Sequence, residues 1–385
     1  MATLSLITAG ESHGPGLTAI VSGVPAGVLF DLAFINGELA RRQGGFGRSG
    51  RMGIEDDHIE VLAGVRKGVT TGAPVALFVK NKDSRLDDEK KTPAIHRPRP
   101  GHADLAGAIK FASNDCRDVV ERASARETAA RVAGCAVARC MLRELGIESF
   151  AFVRQIHAAA TGVACSLDNW HALRTARDAS ETYCPDAAVT AQQRDAITNA
   201  KHAKDTVGGV IECHVFGVMP GIGSCMNAHE KLDGLIAGSV MSIQAIKSVE
   251  IGLGRDVAGR TGSNVHDAIG FDASQRNSLT LGFTRTSNHA GGIEGGMSNG
   301  QPIVVTAAMK PISTVLQGMP SVDLRTREPA PSQYERSDIC AVPAASVVVE
   351  NVVAFEVARA LRTKFGGDSK REVAAQVKAF MELVR

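Results

Sequence analysis

Loop histidines and a run of arginines carry most of the chemistry available to this 385-residue chain. His13 sits in Gly10-Glu-Ser-His-Gly14, His102 in Arg97-Pro-Arg-Pro-Gly-His-Ala-Asp104, and His289 in Ser287-Asn-His-Ala-Gly-Gly292. An imidazole titrates near neutral pH and suits general acid work, and a loop rich in Gly or Pro is where it can meet a ligand. His157 and His214 lie in strand-like runs and are weaker candidates. A single loop histidine is more often a surface residue than a catalyst, so each needs partners. Asp338, in Arg336-Ser-Asp338, is a candidate acid–base group, although an Asp beside an Arg is commonly only an ion pair.

Arg41, Arg42, Arg48 and Arg51 fall within eleven residues, in or beside GGFGRSGRMG at 44–53, with no acid until Glu55. Guanidinium forks grip carboxylate and phosphate by paired hydrogen bonds. The same loop also reads as a solvated basic segment, or as the ion-pair partner of Glu55-Asp56-Asp57. Gly45-x-Gly47-x-x-Gly50 has the spacing of a dinucleotide fingerprint. It follows a helix instead of a strand, so the Rossmann reading fails. Arg122-Ala-Ser124 stands at the expected start of a long helix, a natural anion site to which Arg126 adds, or simply a cap. A second Gly cluster, GGIEGGMSNG, covers 291–300. No hydrolase elbow, zincin, Walker or EF-hand pattern occurs, and no metal site is expected. Together these groups point to a phosphorylated, carboxylated small molecule and acid-assisted loss or transfer of phosphate.

The elements that must hold these loops are legible in part. Residues 17–22 read as a strand. LAFINGELARR follows Asp31 as a helix, with Asp31 as N-cap and Gly37 as an interruption costing about 1 kcal/mol. IEVLAGV and APVALFVK read as strands, and 81–105 as a charged, Pro-rich loop. The clearest helix is 125–145, with a capping box at Ser124-Ala-Arg-Glu127, Arg131, Arg139 and Arg143 on its polar side, and Gly146 as its stop. Strands follow at 148–157, 208–218, 248–254 and 303–309, polar helices over 167–204, and a helix-like run over 233–247. A long loop spans about 311–341, a helix about 344–364, and a last helix opens on a second capping box, Ser369-Lys-Arg-Glu372. Strands and helices alternate without a βαβ period, so α+β layers are expected and not a doubly wound sheet. No linker divides the chain, and one domain over 1–385 is expected.

Composition bounds the function further. Net charge is +2, with 44% hydrophobic and 22% charged residues, which argues against a dedicated nucleic-acid binder. Aromatic residues are scarce, namely Trp170, Tyr183, Tyr334 and 13 Phe, so base stacking on aromatic platforms is disfavoured. The eight Cys form no C-x-x-C pair and read as buried thiols of a reducing compartment. No signal peptide and no membrane-length apolar run is visible, so a cytoplasmic protein without membrane contact is expected. Gly, at 40 residues, is in excess and concentrates beside the charged loops.

At these residues the sequence resembles chorismate synthase. The likeness runs through GESHGPGL at 10–17, RRQGGFGR at 41–48, RPGHADL at 99–105, RASARETAARVA at 122–133, DTVGG at 205–209, SNHAGGIEGGMSNG at 287–300, KPISTV at 310–315 and RSDICAVPAASVV at 336–348. It implies a β-α-β sandwich of antiparallel sheets with outer helices, assembled as a homotetramer. It also implies conversion of 5-enolpyruvylshikimate 3-phosphate to chorismate by 1,4-anti elimination, requiring reduced FMN. By position, His13 resembles the histidine that protonates the leaving phosphate, and His102 the one that protonates or stabilises the reduced flavin. Asp338 resembles the acid near flavin N5, and Ser12 and Ser124 the relay serines. Arg42 and Arg48 match the pair that grips substrate anions, assigned to NADPH in some members. Arg122, Ala123, Ser124, Gln244, Ala245, Gly295, Lys310, Pro311, Ile312, Ser313, Thr314 and Arg336 match flavin-contacting segments. The paucity of Trp and Tyr adds that backbone, Arg, Lys and small side chains should hold the flavin. NADPH is the implied reductant, and with no reductase domain visible a separate flavin reductase is expected. The chain departs from the family at Phe111-Ala-Ser-Asn-Asp and at Val349-Glu350-Asn351-Val352, where Gly-Glu-Ala-Met is usual. Competing readings are a flavoenzyme with net redox turnover on the same anion site, and a non-catalytic polyanion binder using the Arg loop.

Overall fold

Two antiparallel sheets enclose a layer of helices in the computed structural model, which describes residues 4–48, 55–335 and 337–385. In chain order the first half contains β1 (Ser5–Ala9), β2 (Gly16–Ser22), α1 (Leu32–Gln43), β3 (Ile59–Ala63), β4 (Val75–Lys80), α2 (Asp104–Lys110), α3 (Arg117–Ala123) and α4 (Thr128–Glu144). The second contains β5 (Glu148–Ile156), β6 (Ala159–Ala160), α5 (Trp170–Asp178), α6 (Ala187–His202), β7 (Gly209–Phe216), α7 (Leu232–Met241), β8 (Ile246–Ile251), β9 (Ile303–Met309), α8 (Val342–Lys364) and α9 (Lys370–Leu383).

The first sheet has the order β1-β2-β4-β3 and the second β8-β9-β7-β5-β6. Alternation fixes which face of the first sheet is inside. Leu17, Ala19 and Val21 of β2 are buried beside Val79, Leu77 and Val75 of β4, register Ala19↔Leu77. That face lies on α4, and the approach is close: a Cβ at Gly134 would come within 2.4 Å of Leu6. α8 packs between α4 and the second sheet, with α1 and α7 beside it. The expected sandwich of antiparallel sheets is present, and its principal helices form the middle layer, while α5 covers the outer face of the second sheet. There Trp170, Phe216, Phe150 and Phe152 form a separate aromatic cluster, with His214 stacked between Phe152 and Phe216.

Several sequence expectations meet their element directly. Asp31 accepts from the Phe34 amide, β9 occupies 303–309, Gly146 follows α4 in the left-handed region at φ +74°, and Ser369 and Glu372 form both halves of a capping box. The Ser124 box does not form. Ser124 Oγ accepts from the Arg126 amide, a single 3₁₀ turn over Ala125–Glu127 precedes α4, and Glu127 instead accepts from Thr8 Oγ1 and Gln244. Tertiary partners outcompete the local cap because Glu127 is buried. Arg139, expected on the polar side of that helix, is buried and paired. β1, α2 and α3 stand where no element was expected, and a hairpin of Pro320–Val322 with Pro329–Pro331 interrupts the long C-terminal loop. Arg122 therefore ends α3 and does not open α4. Among the described residues no helix is long and apolar enough to cross a membrane.

Candidate active site

The β1–β2 loop, the end of α1, α3 and the start of α8 converge on a cavity of about 560 Å³. Among the described residues it is lined by Ser12, His13, Arg42, Arg48, His102, Ala123 and Ser124 from the N-terminal half. Gln244, Ala245, Lys310, Ile312, Ser313, Thr314 and Asp338 come from the C-terminal half. His13 and Asp338, 325 positions apart and singled out by residue type and setting, thus share one wall with residues named through the resemblance. No Phe, Tyr or Trp is among its described lining residues.

The His13 loop is fastened from both sides. Asn81 Nδ2 donates to the carbonyls of Glu11, Ser12 and Gly14 at 3.0, 3.2 and 2.8 Å. Glu121 on α3 accepts from the His13 amide at 2.8 Å, and its oxygens lie 2.9 and 3.0 Å from His13 Nδ1. On the other side of the ring, Nε2 is 3.4 Å from Arg85 and 3.7 Å from Asp83. Ser124 Oγ donates to Ser12 Oγ at 3.2 Å, so the two proposed relay hydroxyls touch. His102 is built alike: Nδ1 meets Asp104 Oδ1, and Arg99 Nε donates to Asp104 Oδ2 at 2.9 Å. Arg99 also reaches Thr314 Oγ1 at 3.0 Å. Burial works to raise both carboxyls. Hydrogen bonds and charge from His13 and Arg117 prevail at Glu121, those from His102 and Arg99 at Asp104, and each is held below its usual value.

The arginines divide. Arg42, with its side chain nearly buried, gives one nitrogen to Asp57 at 2.5 Å and another to Thr128 Oγ1, while Arg126 takes the other Asp57 oxygen at 2.6 Å. Burial, with Arg126 and Arg48 close by, pulls the Arg42 guanidinium below its ordinary value against the opposing pull of Asp57. The ion-pair reading of this stretch holds at Arg42, which pairs with Asp57 and also lines the cavity. Arg48 meets Asp338 at 2.7 Å. Gly45 and Gly47, at φ +97° and +92°, put the chain against Pro343 and Cys340 at the head of α8, which carries Arg48 to the cavity. Lys310 Nζ donates to Ser313 Oγ at 3.0 Å and to the Gly101 carbonyl. Burial and the neighbouring Lys247 lower its ammonium.

Some expected residues are elsewhere. Arg122 turns away to the carbonyls of Thr8 and Gly10. Pro311 lies between lining neighbours but is not in the wall. Gly295 sits in the Ile293–Ser298 hairpin turn, and the second Gly cluster packs on Gly252, Pro302 and Ser224, not on the cavity. His289 points Nδ1 at the Val265 carbonyl. Arg51 and Arg336 lie outside the described residues. Glu121, Asp104 and Asn81 escaped sequence reading, whereas Asp57 was named there as an ion-pair partner of the Arg loop. Asp104, two residues past His102 within a quoted motif, was the one with a local signal.

A sequence profile of chorismate synthase matches residues 4–361. The chorismate synthases of Desulforudis audaxviator and Geobacter sulfurreducens are 48% and 49% identical over 392 and 394 residues, 99% of this chain and 98% and 99% of theirs. That of Trichlorobacter lovleyi is 50% identical over 378 residues, 95% of this chain and 96% of its own. A crystal structure of chorismate synthase superimposes with a TM-score of 0.81 at 38% identity, over 100% of this chain and 99% of that one. Likeness this deep across the full length of both partners, in sequence and in backbone, makes the chain a member of the chorismate synthase family, lyases of aromatic amino-acid biosynthesis.

Proposed function

We propose that the enzyme converts 5-enolpyruvylshikimate 3-phosphate to chorismate by 1,4-anti elimination of phosphate and the C6 hydrogen, with reduced FMN bound in the same cavity. The observation that carries this reading is the meeting of two carboxylate-held histidines with Arg42, Arg48, Arg85, Arg99 and Lys310 around one space. Fixed positive charge beside a proton donor is what a departing phosphate dianion requires.

The residues present fit a flavin. Ala341, Ala344, Ala345 and Val348 repeat at helical spacing and turn a small-side-chain face of α8 to the cavity, against which a flat ring system can lie. Gln244 donates through Nε2 to Glu127, while its Oε1 is buried without a partner among the described residues, an acceptor ready for a ring N–H. Lys310, Ser313 and Thr314 offer cationic and hydroxyl groups to an anionic tail. When bound, the reduced cofactor supplies electron density to the allylic system as its carbon–oxygen bond to phosphate breaks.

The chain's own residues do the rest. Arg42 and Arg48 hold the substrate's anions. His13 gives the proton at Nε2 to the leaving phosphate oxygen while Nδ1 stays on Glu121. Asp338, paired with Arg48, takes the proton lost from C6. Ser12 and Ser124 extend the hydrogen-bonded path beside His13. Exposed Ile7 and Ile20, paired on the outer face of the first sheet, are consistent with the tetramer that the resemblance implies, which light scattering checks.

The test is anaerobic. Protein, reduced FMN and 5-enolpyruvylshikimate 3-phosphate are mixed, and chorismate absorbance and phosphate release are followed. Equal amounts of both products are expected; none from folded, flavin-loaded protein rejects the reading. NADPH oxidation by the enzyme alone decides whether a separate reductase is needed, and negligible oxidation is expected.

A further inference from the structure

Glu121 is 2% exposed and spends its carboxylate on one loop. It accepts from the His13 amide, faces His13 Nδ1 with both oxygens, and receives Arg117 at 3.3 Å, while its own carbonyl accepts from the Ser12 amide. Arg117 is in turn held by Glu335 at 3.0 Å and by the Pro93 carbonyl. An ionised carboxylate only accepts hydrogen bonds, so the proton of a neutral His13 ring belongs on Nδ1. The charged groups on the Nε2 side, Arg85 and Asp83, come from the loop after β4. Among the described residues no other carboxylate–histidine pair at the cavity takes the backbone and the ring of one residue together; Asp104 takes the His102 ring and the backbone of Arg99.

We propose that Glu121 is a positioning residue for the elimination. It fixes His13 in the Nδ1–H tautomer and aims Nε2 at the phosphate oxygen that leaves. This rests on the reading of His13 as the proton donor. Its physical content is that one arrangement serves both ends of the transfer. With Nε2 protonated, Nδ1–H bonds Glu121. With that proton passed to phosphate, the neutral ring keeps the same bond, so nothing turns during the step. A carboxylate that orients a catalytic imidazole by its other nitrogen is a recurring device, and its amide variant gives the wrong tautomer.

The experiment uses the full chain with ¹⁵N-labelled histidine, the His13 resonances being assigned by their loss in His13→Gln. In the parent, neutral His13 is expected to show Nδ1 protonated and Nε2 bare. In Glu121→Gln that preference is lost, and kcat falls about 10²–10³-fold with KM and flavin affinity within threefold. Glu121→Asp, which keeps the charge, regains at least tenfold of that loss and serves alone if the Gln variant does not fold. A folded Glu121→Gln variant with the parent's tautomer overturns the proposal whatever its rate, because Glu121 then acts only on structure. So does a kcat within threefold of the parent. If the parent itself releases no phosphate, the reading of the reaction fails, while the tautomer measurement still judges the role of Glu121.

Discussion

Arg41 and Arg42 are neighbours on α1 and belong to different worlds. Arg41 reaches Glu38 at 2.6 Å and Glu350 at 2.9 Å; Arg139 joins the same two carboxylates at 2.5 and 2.8 Å; Arg177 adds to Glu350 at 3.0 Å; Asn351 donates to Glu38 at 2.8 Å. This cluster closes on itself between α1, α4 and α8. Arg42, one residue on, shares Asp57 with Arg126 but also borders the cavity with Arg48. The same residue types close on one another inside the protein in the first cluster, and in the second pair with carboxylates while lining the space proposed for substrate. In the closed cluster, removing one partner strands a buried charge. In the open one, a ligand anion can enter the exchange.

The sharpest way to break the comparison is at the cavity. His13→Ala and His102→Ala are each expected to slow turnover about 10²–10⁴-fold with the fold intact. Stopped-flow product formation measures this, and near-parental rates would falsify their place in the mechanism. Glu350→Gln should do the reverse: it costs about 3–5 kcal/mol of stability in urea titration, with activity per folded molecule little changed. A stable Glu350→Gln variant with poor turnover would merge the two clusters. Asp338→Asn should slow turnover about 10²-fold while flavin affinity changes less, and unchanged turnover counts against it.

Acid separates them more gently. Glu38 and Glu350, like Asp57 and Glu121, are buried, which raises a carboxyl, but their Arg or His partners hold each below its ordinary 4.5 or 3.8. A carboxylate depressed in the folded state adds stability in full above about pH 5, and loses it as pH falls through those ordinary values toward the folded ones. The urea midpoint is expected to drop from pH 5 to pH 3.5, and the drop to be shallower in Glu350→Gln; equal slopes would contradict this. The smallest effect is expected at Gly37, exposed within α1 and with nothing within 4 Å of an added Cβ. Gly37→Ala should gain about 0.5–1 kcal/mol and leave activity alone, which thermal unfolding checks.

What the sequence disclosed followed from local causes. β9 alternates buried and half-buried residues along Ile303–Met309, and Ser369 with Glu372 needs no distant partner to cap α9. What it hid depends on tertiary company. α2 and α3 have seven residues each and no side-chain N-cap, so neither periodicity nor a cap announces them. Glu127 sits at capping-box spacing yet binds Thr8, 119 positions away. The histidines were visible by type and loop setting, whereas Glu121 and Asp104 become meaningful only when α3 and α2 bring them to the rings. Nothing in Arg41-Arg42 separates the two residues, because the distinction is made by Glu350 on one side and a cavity on the other.

The aromatic cluster on the outer face of the second sheet has a practical consequence. The chain's one tryptophan, Trp170, is 6% exposed there, stacked on Phe216 with its ring centre 4.9 Å away, and is not part of the cavity wall. Ultraviolet emission excited at the indole is therefore a gauge of whether that sheet is intact. On the proposed function, visible absorbance of an added flavin gauges the cavity. One sample carries two optical channels, so loss of a site and loss of a fold can be told apart in the same cuvette.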